Sequence, residues 1–326
     1  EVIRIDASKG DAVWAFAGMR NASPTGQYWN KGGRYNSSNA YKKSLSLDLS
    51  KPKGKEVIRE LIKKSDILAE NWTPRVKENL GLSYPELVEI KPDVILLSSS
   101  GFGASGPWRD WAAWGLIIAP MCGMSYLTGY PDGRPVKCPM PWPDFIAAIE
   151  GTYAVLIALD YRRRTGKGQW IDLSQIEASV GHIAEAAMDY IMNQRVQSRI
   201  GNRHPFMAPH GVYRCRGDDM WVAISISSDE EWLSFCHALG EPAWCKEERF
   251  STMIGRNENQ EELDRLIEVW TLPQDHYQVM KTLQELKVPA GAVLTPKELF
   301  SAPHLKGRNA FHLIAHPKLE GMENLG

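Results

Sequence analysis

Apolar and polar positions follow two regimes along this chain, and the change comes near residue 200. In the first, short apolar runs are separated by stretches with helical spacing. Val2-Ile3-Arg4-Ile5 reads as a strand. Lys53 to Lys64 carries Val57, Ile58, Leu61 and Ile62 on one helical face. Asp66 to Ala69 and Val94 to Ser98 read as buried strands. Pro74 to Leu80 is predicted helical, with Thr73 as cap, proline at the first position and Gly81 as the stop. Ser83 to Ile90 opens on a Ser83-x-x-Glu86 capping box. Phe145 to Arg164 predicts a long helix stopped by Gly166 and Gly168. Trp170 to Leu173 predicts a strand, and Ile176 to Gln194 another helix. Strands separated by helices imply βαβ units and a parallel sheet covered on both faces, an α/β fold class.

Beyond residue 200 the pattern changes. Gly201 to Pro205 reads as a loop. A hairpin follows, from Gly211–Tyr213 and Trp221–Ile226 about a Gly217-Asp218-Asp219 turn. Helices are predicted from Asp229 to Leu239, Gln260 to Trp270 and Gln274 to Leu286. We expect a smaller α+β domain over 200–290 after a large domain of 1–199. Ala290 to Leu294 is expected as a strand leading segment 291–326 back to the large domain. The chain opens without Met and ends in an uncapped polar stretch, so both ends of a longer protein are expected to be missing.

The chain has 326 residues, which at about 150 per domain also suggests two domains. It holds 38 basic and 39 acidic side chains for a net charge of −1, so no net field points to nucleic acid or an anionic membrane. The longest apolar run, Gly115 to Met124, is interrupted by Pro120 and falls short of the ~18 residues of a membrane span. The five cysteines form no CxxC pair. They read as buried thiols of a reducing compartment, which implies a cytoplasmic protein. His312 and His316 are four apart without a third ligand nearby, so no metal site is expected.

Two motifs carry candidate chemistry. Gly101-Phe-Gly103-Ala-Ser-Gly106 fits the GxGxxG dinucleotide fingerprint. Pro107 and Trp108 follow it where a helix should start, so it reads better as a loop lining a pocket. Pro139-Met-Pro-Trp-Pro-Asp144 runs straight into the long helix. Spacing leaves two readings of Asp144 open, a helix N-cap or a carboxylate nucleophile able to form acyl intermediates.

Six segments then resemble, in order, the motifs of one family. Asn39 to Leu49 resembles N-x-x-K-x-S-x-x-L-D-L. Ala69-Glu70-Asn71-Trp72-Thr73-Pro74 resembles V-E-N-F-x-P, with Leu80-Gly81-Leu82 following. Ser99 to Pro107 resembles S-x-x-G-F-G-x-x-G-P. Thr128-Gly129 with Asp132-Gly133-Arg134-Pro135 resembles T-G-x-x-D-G-x-P. Arg164 to Gln169 resembles R-x-T-G-x-G-Q, and Ala208 to Cys215 resembles A-P-Y-G-x-Y-x-C. Together they are similar to the class III (family III) CoA-transferases, which include formyl-CoA, carnitine and bile-acid CoA-transferases and the α-methylacyl-CoA racemases.

The resemblance implies a Rossmann-like large domain, a small domain, and two chains interlocked as rings in a homodimer. It implies that Asp144 attacks an acyl-CoA thioester and passes CoA to a carboxylate acceptor through anhydride and aspartyl-CoA intermediates, with no permanently bound cofactor. The CoA-binding positions carried over are Asn71, Trp72 and Thr73, then Leu47, Asp48, Leu49 and Ser50, then Ala112, Ala113, Trp114 and Gly115. Gly101, Gly103 and His210 line the substrate pocket in the same reading.

The sequence also departs from the pattern. Asn79 stands where the family often has arginine, leaving Arg75 or Lys77 to contact the CoA phosphates. The acidic residue often found at position 115 is absent, and His204 to Met207 replaces a glycine-rich loop, closer to the carnitine-type branch. Trp108, Trp111, Trp114 and Trp142 suggest a bulky or cationic acyl group. Two alternatives stay open: a non-catalytic CoA-binding subunit, and a racemase, which would need a histidine where Trp114 stands.

Overall fold

The computed structural model describes residues 1–7, 33–313 and 323–325. They form two compact units. One comprises the described parts of Glu1–Leu127, Pro135–Gln197 and Ala310–Gly326; the other comprises Thr128–Arg134 and Ser198–Asn309.

The first unit begins with β1 (Val2–Asp6), α1 (Gly33–Asn39) and β2 (Lys42–Ser46), where β1 and β2 form a two-stranded parallel sheet. Next come α2 (Pro52–Lys63), β3 (Ile67–Glu70), α3 (Pro74–Leu80), α4 (Tyr84–Ile90) and β4 (Ile95–Ser98). Then follow α5 (Gly115–Met121), α6 (Met124–Leu127), α7 (Trp142–Thr165), β5 (Gln169–Asp172), α8 (Gln175–Gly181) and α9 (Ala184–Asn193). Strands β3, β4 and β5 make a parallel sheet in that order, with Ile67 opposite Ile95 and Leu97 opposite Ile171. The mixed α/β architecture with parallel pairing agrees with the reading from the apolar pattern.

Sequence punctuation explains the elements. The Ser83–Glu86 capping box forms at the start of α4. Gly81 ends α3 at φ 72°, a left-handed conformation open to glycine at little cost, and Leu82 N donates back to Lys77 O. Ile58 and Ile62, one turn apart on α2, bury with Leu82, Leu87, Val94 and Leu96. The expected helix 176–194 is instead two helices, parted at His182 and Ile183. The first ends on Gly181, a poor helix former.

The second unit contains β6 (His210–Arg214), β7 (Trp221–Ser225), α10 (Asp229–Ala238), α11 (Met253–Glu258), α12 (Gln260–Thr271), α13 (His276–Glu285), β8 (Ala290–Val293), α14 (Pro296–Ser301) and α15 (Pro303–Gly307). The hairpin β6–β7 is antiparallel, and Trp232, Phe235, Leu263, Ile267, Val279 and Leu283 bury in its core. Strand β8 pairs with β7 from Trp221 to Ile224 and so adds a third strand to the second unit's sheet, satisfying the free backbone edge of β7. Residues of the first unit resume at Ala310, where β9 (Phe311–Leu313) pairs with β10 (Glu323–Leu325). His316 lies outside the described residues. All five cysteines are free, and all but Cys138 are buried.

Candidate active site

Strands β3, β4 and β5 are parallel, so their carboxyl ends, Glu70, Ser98 and Asp172, share one edge of the sheet. In open parallel sheets that edge is where ligands bind. Three connections leave it: the turn 71–73, the loop 99–114, and the link from β5 into α8.

The glycine loop is anchored from beneath. Ala104 N donates to both Asp172 carboxylate oxygens, at 3.0 and 3.1 Å. Gln175 N donates to Ser100 O at 3.0 Å and Ile176 N to Gly101 O at 3.1 Å. The amides opening α8 therefore bind the loop's own carbonyls. In a dinucleotide site the loop runs directly into a helix whose amides face the pyrophosphate. Here the next helix, α5, starts only at Gly115. The geometry is that of a loop and not of a dinucleotide turn, and Ala104 N–H is already taken by Asp172, so it is not a free oxyanion donor.

Beyond this loop Trp108 and Trp111 stack on each other at 5.1 Å, with Phe102 edge-on to both at 5.7 and 6.1 Å. Their faces serve one another as much as any ligand. The same stretch reaches α3: Arg109 Nη2 lies 2.7 Å from Glu78 Oε1, and Arg75 N donates to Asp110 Oδ1 at 3.4 Å.

Asp144 is not the N-cap that spacing alone allowed. The helix starts three residues earlier than the apolar pattern indicates, with Pro141 at the cap and Asp144 in the first turn, its N–H donating to Pro141 O at 3.0 Å. Its carboxylate sits at the positive end of a 24-residue helix. The buried face carrying Ile146, Ala147, Gly151 and Ala158 fixes that helix, with Gly151 close against Leu97 and Leu173. Gly115 faces the carboxylate so closely that a Cβ there would lie 2.6 Å from Oδ2, 2.7 Å from Cγ and 2.8 Å from Oδ1. Gly101 is just as tight: its Cβ would meet Ala113 Cβ at 2.5 Å. Close approach at two glycines thus links the glycine loop, segment 112–115 and Asp144.

The remaining candidates fall as follows. Asn71 is exposed, while Trp72 and Thr73 are half-buried, and the Trp72 ring packs on the Ile58–Leu82 core. Leu47 and Leu49 pack on that same core, and the turn holding them is closed by Ser50 N and Oγ donating to Asp48 Oδ1 at 3.0 and 2.6 Å. Ala112 and Trp114 are exposed, with Trp114 at the cap of α5. His210 belongs to the second unit. There it lines a cleft of about 550 Å³ with Asn202, Arg203 and Gln284, and its Nδ1 donates to Asn202 O at 2.6 Å.

One expectation fails. Lys77 cannot serve a CoA phosphate, because it is buried and its ammonium is held by Glu70 and Ser98. Arg75, exposed on the same helix, keeps that candidacy. Sequence reasoning missed Asp172, Glu70 and Ser98. The signal for Glu70 was a carboxylate followed seven residues later by a lysine at a core position of its helix.

The family profile of "CoA-transferase family III" matches residues 1–326. The chain is 34% identical over 278 residues to a succinyl-CoA–D-citramalate CoA-transferase of Chloroflexus aurantiacus, covering 85% of this chain and 69% of that one. It is 30% identical to a succinate–glutarate CoA-transferase of Agrobacterium fabrum, covering 84% and 68%. A crystal structure of a CAIB/BAIF family protein from Brucella suis superposes with a TM-score of 0.86 at 28% identity, covering 100% and 87%.

Proposed function

The chain belongs to CoA-transferase family III, and from that premise we propose that it moves coenzyme A from an acyl-CoA thioester to a carboxylic acid through covalent intermediates on Asp144. One observation carries the reading: the Asp144 carboxylate stands in the first turn of α7 in contact range of Gly115, beside the glycine loop. An ionised carboxylate is favoured at a helix N-terminus and is the nucleophile this exchange needs.

The steps balance without a cofactor. Asp144 attacks the thioester carbonyl, the C–S bond breaks, and CoA thiolate leaves an aspartyl-acyl anhydride. The thiolate attacks the aspartyl carbonyl, the donor carboxylate departs, and aspartyl-CoA thioester remains. The acceptor carboxylate repeats both steps in reverse and frees Asp144. The exchange begins and ends on a thioester and a free carboxylate, so the net reaction is close to balanced. Water exclusion protects the anhydrides.

The two relatives act, by name, on succinyl-CoA, D-citramalate, succinate and glutarate. Short aliphatic dicarboxylic acids are therefore the substrate class carried over. The Trp108–Trp111 stack, whose faces are partly spent on each other, favours these over a large cationic acyl group. The turn 71–73, with Leu47 to Ser50 and Ala112 to Gly115, is read as the CoA-binding surface, in a Rossmann-like large domain.

A second copy of the chain completes this reading. Among the described residues α7 alone has the length and composition of a membrane span, yet only 28% of that stretch is buried. Ile149, Tyr153, Leu156 and Ile157 are each more than half exposed along it. The same helix carries Asp144 and ends in Arg162, Arg163 and Arg164, which suits a protein partner better than lipid.

The test is a trapping experiment. The protein is incubated with a panel of acyl-CoAs, then hydroxylamine, digested and read by mass spectrometry. An aspartyl hydroxamate at Asp144 is expected, strongest with dicarboxylic acyl-CoAs, and absent in Asp144→Asn. An unmodified Asp144 in a protein that still binds CoA would point instead to a non-catalytic subunit or to proton-transfer chemistry.

A further inference from the structure

Beneath the 71–73 turn lies a polar network that none of the roles above uses. The Glu70 and Lys77 side chains are 3% and 5% exposed, with Nζ 3.2 Å from Glu70 Oε1. The other carboxylate oxygen, Oε2, accepts from Trp72 N at 2.8 Å. Lys77 Nζ also donates to Ser98 Oγ at 2.7 Å and stands 5.0 Å from the Trp170 ring centre. Trp170 Nε1 donates to the same Ser98 oxygen at 3.0 Å.

Stability alone does not explain such an arrangement. Burying an ammonium and a carboxylate carries a desolvation cost that their attraction often fails to exceed, and apolar replacements of the same volume are often neutral or better. What the pair supplies is geometry. Glu70 grips both sides of the turn: the amide of Trp72 two residues on, and Lys77 one helical turn into α3. Lys77 is held in its turn by Ser98, the last residue of β4, from which the glycine loop departs. The direction of Asn71 and the seat of Trp72 therefore follow from where one buried carboxylate is pinned.

We propose that Glu70 and Lys77 are positioning residues for coenzyme A, holding the 71–73 turn in its binding shape without touching the ligand. The inference rests on the transferase reading of this site. It has a signature that a purely structural role lacks. Lys77→Met keeps the volume but strands the Glu70 carboxylate. Glu70→Gln keeps an oxygen for Trp72 N–H and removes the charge. The double variant removes both charges and leaves no buried ion uncompensated.

The test measures CoA binding by calorimetry and steady-state transfer in the whole chain. For Lys77→Met the Kd for CoA and the KM for acyl-CoA are expected to rise about tenfold or more, with kcat within about threefold of wild type. Glu70→Gln/Lys77→Met is expected to recover most of that affinity. Acyl-pantetheine thioesters, which lack the nucleotide end, are expected to show the same KM with wild type and Lys77→Met. A folded Lys77→Met with unchanged CoA affinity overturns the inference. So does a fall in kcat at constant KM, or an equal loss for the pantetheine thioester. If Lys77→Met does not fold, Glu70→Gln alone is measured the same way, with a severalfold rise in Kd expected and no rise overturning the inference. A wild-type protein that binds no CoA overturns the transferase reading as well, whereas intact wild-type binding that the variants leave unmoved overturns this inference alone.

Discussion

Gly115→Ala is a one-carbon test of the seat of Asp144. The added Cβ would lie 2.6 to 2.8 Å from three carboxyl atoms, up to about 0.8 Å inside ordinary van der Waals contact. Gly115 lies outside the left-handed region, so its backbone accepts alanine without strain. Restricting the unfolded chain should contribute about 0.4–1 kcal/mol of stability. Turning the carboxylate about 30° off its rotamer to relieve the clash costs about 0.5–1.5 kcal/mol. These terms nearly cancel, so thermal unfolding should shift little. Activity should not escape in the same way, because a displacement of about 1 Å at a reacting group can cost about 10²-fold in rate. The expected result is a Tm close to wild type, CoA binding retained, and kcat lower by about two orders of magnitude with a matching loss of hydroxamate. A folded Gly115→Ala whose kcat and hydroxamate yield stay within about twofold of wild type would refute the assignment of this seat.

Three more outcomes follow from particular contacts. Asp172→Ala removes both acceptors of Ala104 N–H from an exposed site, so stability should fall by about 1 kcal/mol or less. Hydrogen exchange at the Ala104 amide should speed up, and unchanged exchange would refute the anchoring role. Ile149→Lys, at a side chain 73% exposed on α7, should lower the mass seen by light scattering if that face meets a second copy; an unchanged assembly removes α7 from the interface. Asp189 is held at a pKa of about 2 by hydrogen bonds from Arg195, then Asn193 and Gln197. Its folded value lies below the unfolded one, so its stabilisation is present above about pH 4 and is lost as pH falls towards 2. The stability gap between wild type and Asp189→Asn should therefore close over that window in acid titrations followed by circular dichroism, and a gap constant with pH would refute the cause.

Elements with local causes were legible in the sequence. The capping box at Ser83, proline at the start of α3 and glycines at 81 and 166 all mark helix ends where the structure has them. Elements whose causes are distant were not. Strand β2 has only Leu45 facing inward, so no alternation announces it. Helix α5 contains Pro120, which reads as a breaker, yet Ile118 and Ala119 bury completely or nearly so. The strand at 290–293 was visible, but its partner was not, since pairing with β7 depends on an edge about 70 residues away in sequence.

The site divides along the same line. The glycine loop could be read as a loop because Pro107 and Trp108 deny it a helix, and the structure closes that argument by giving its carbonyls to α8. Asp144 could not be separated from a cap by spacing, because Trp142 and Pro143 look like the end of a rigid segment when they are the first residues of the helix. Lys77 shows the limit most clearly. A lysine is almost never buried unless paired, so sequence reasoning places it at the surface, near a phosphate. Its partners are a carboxylate seven residues earlier and a hydroxyl 21 residues later. Only the parallel pairing of β3 with β4 brings Glu70 opposite Ser98 and makes a buried ammonium tolerable. The same pairing sets the turn and the glycine loop side by side. A charge that looks misplaced in the sequence is thus a consequence of the register that builds the site, and its removal should be felt first in what the turn binds.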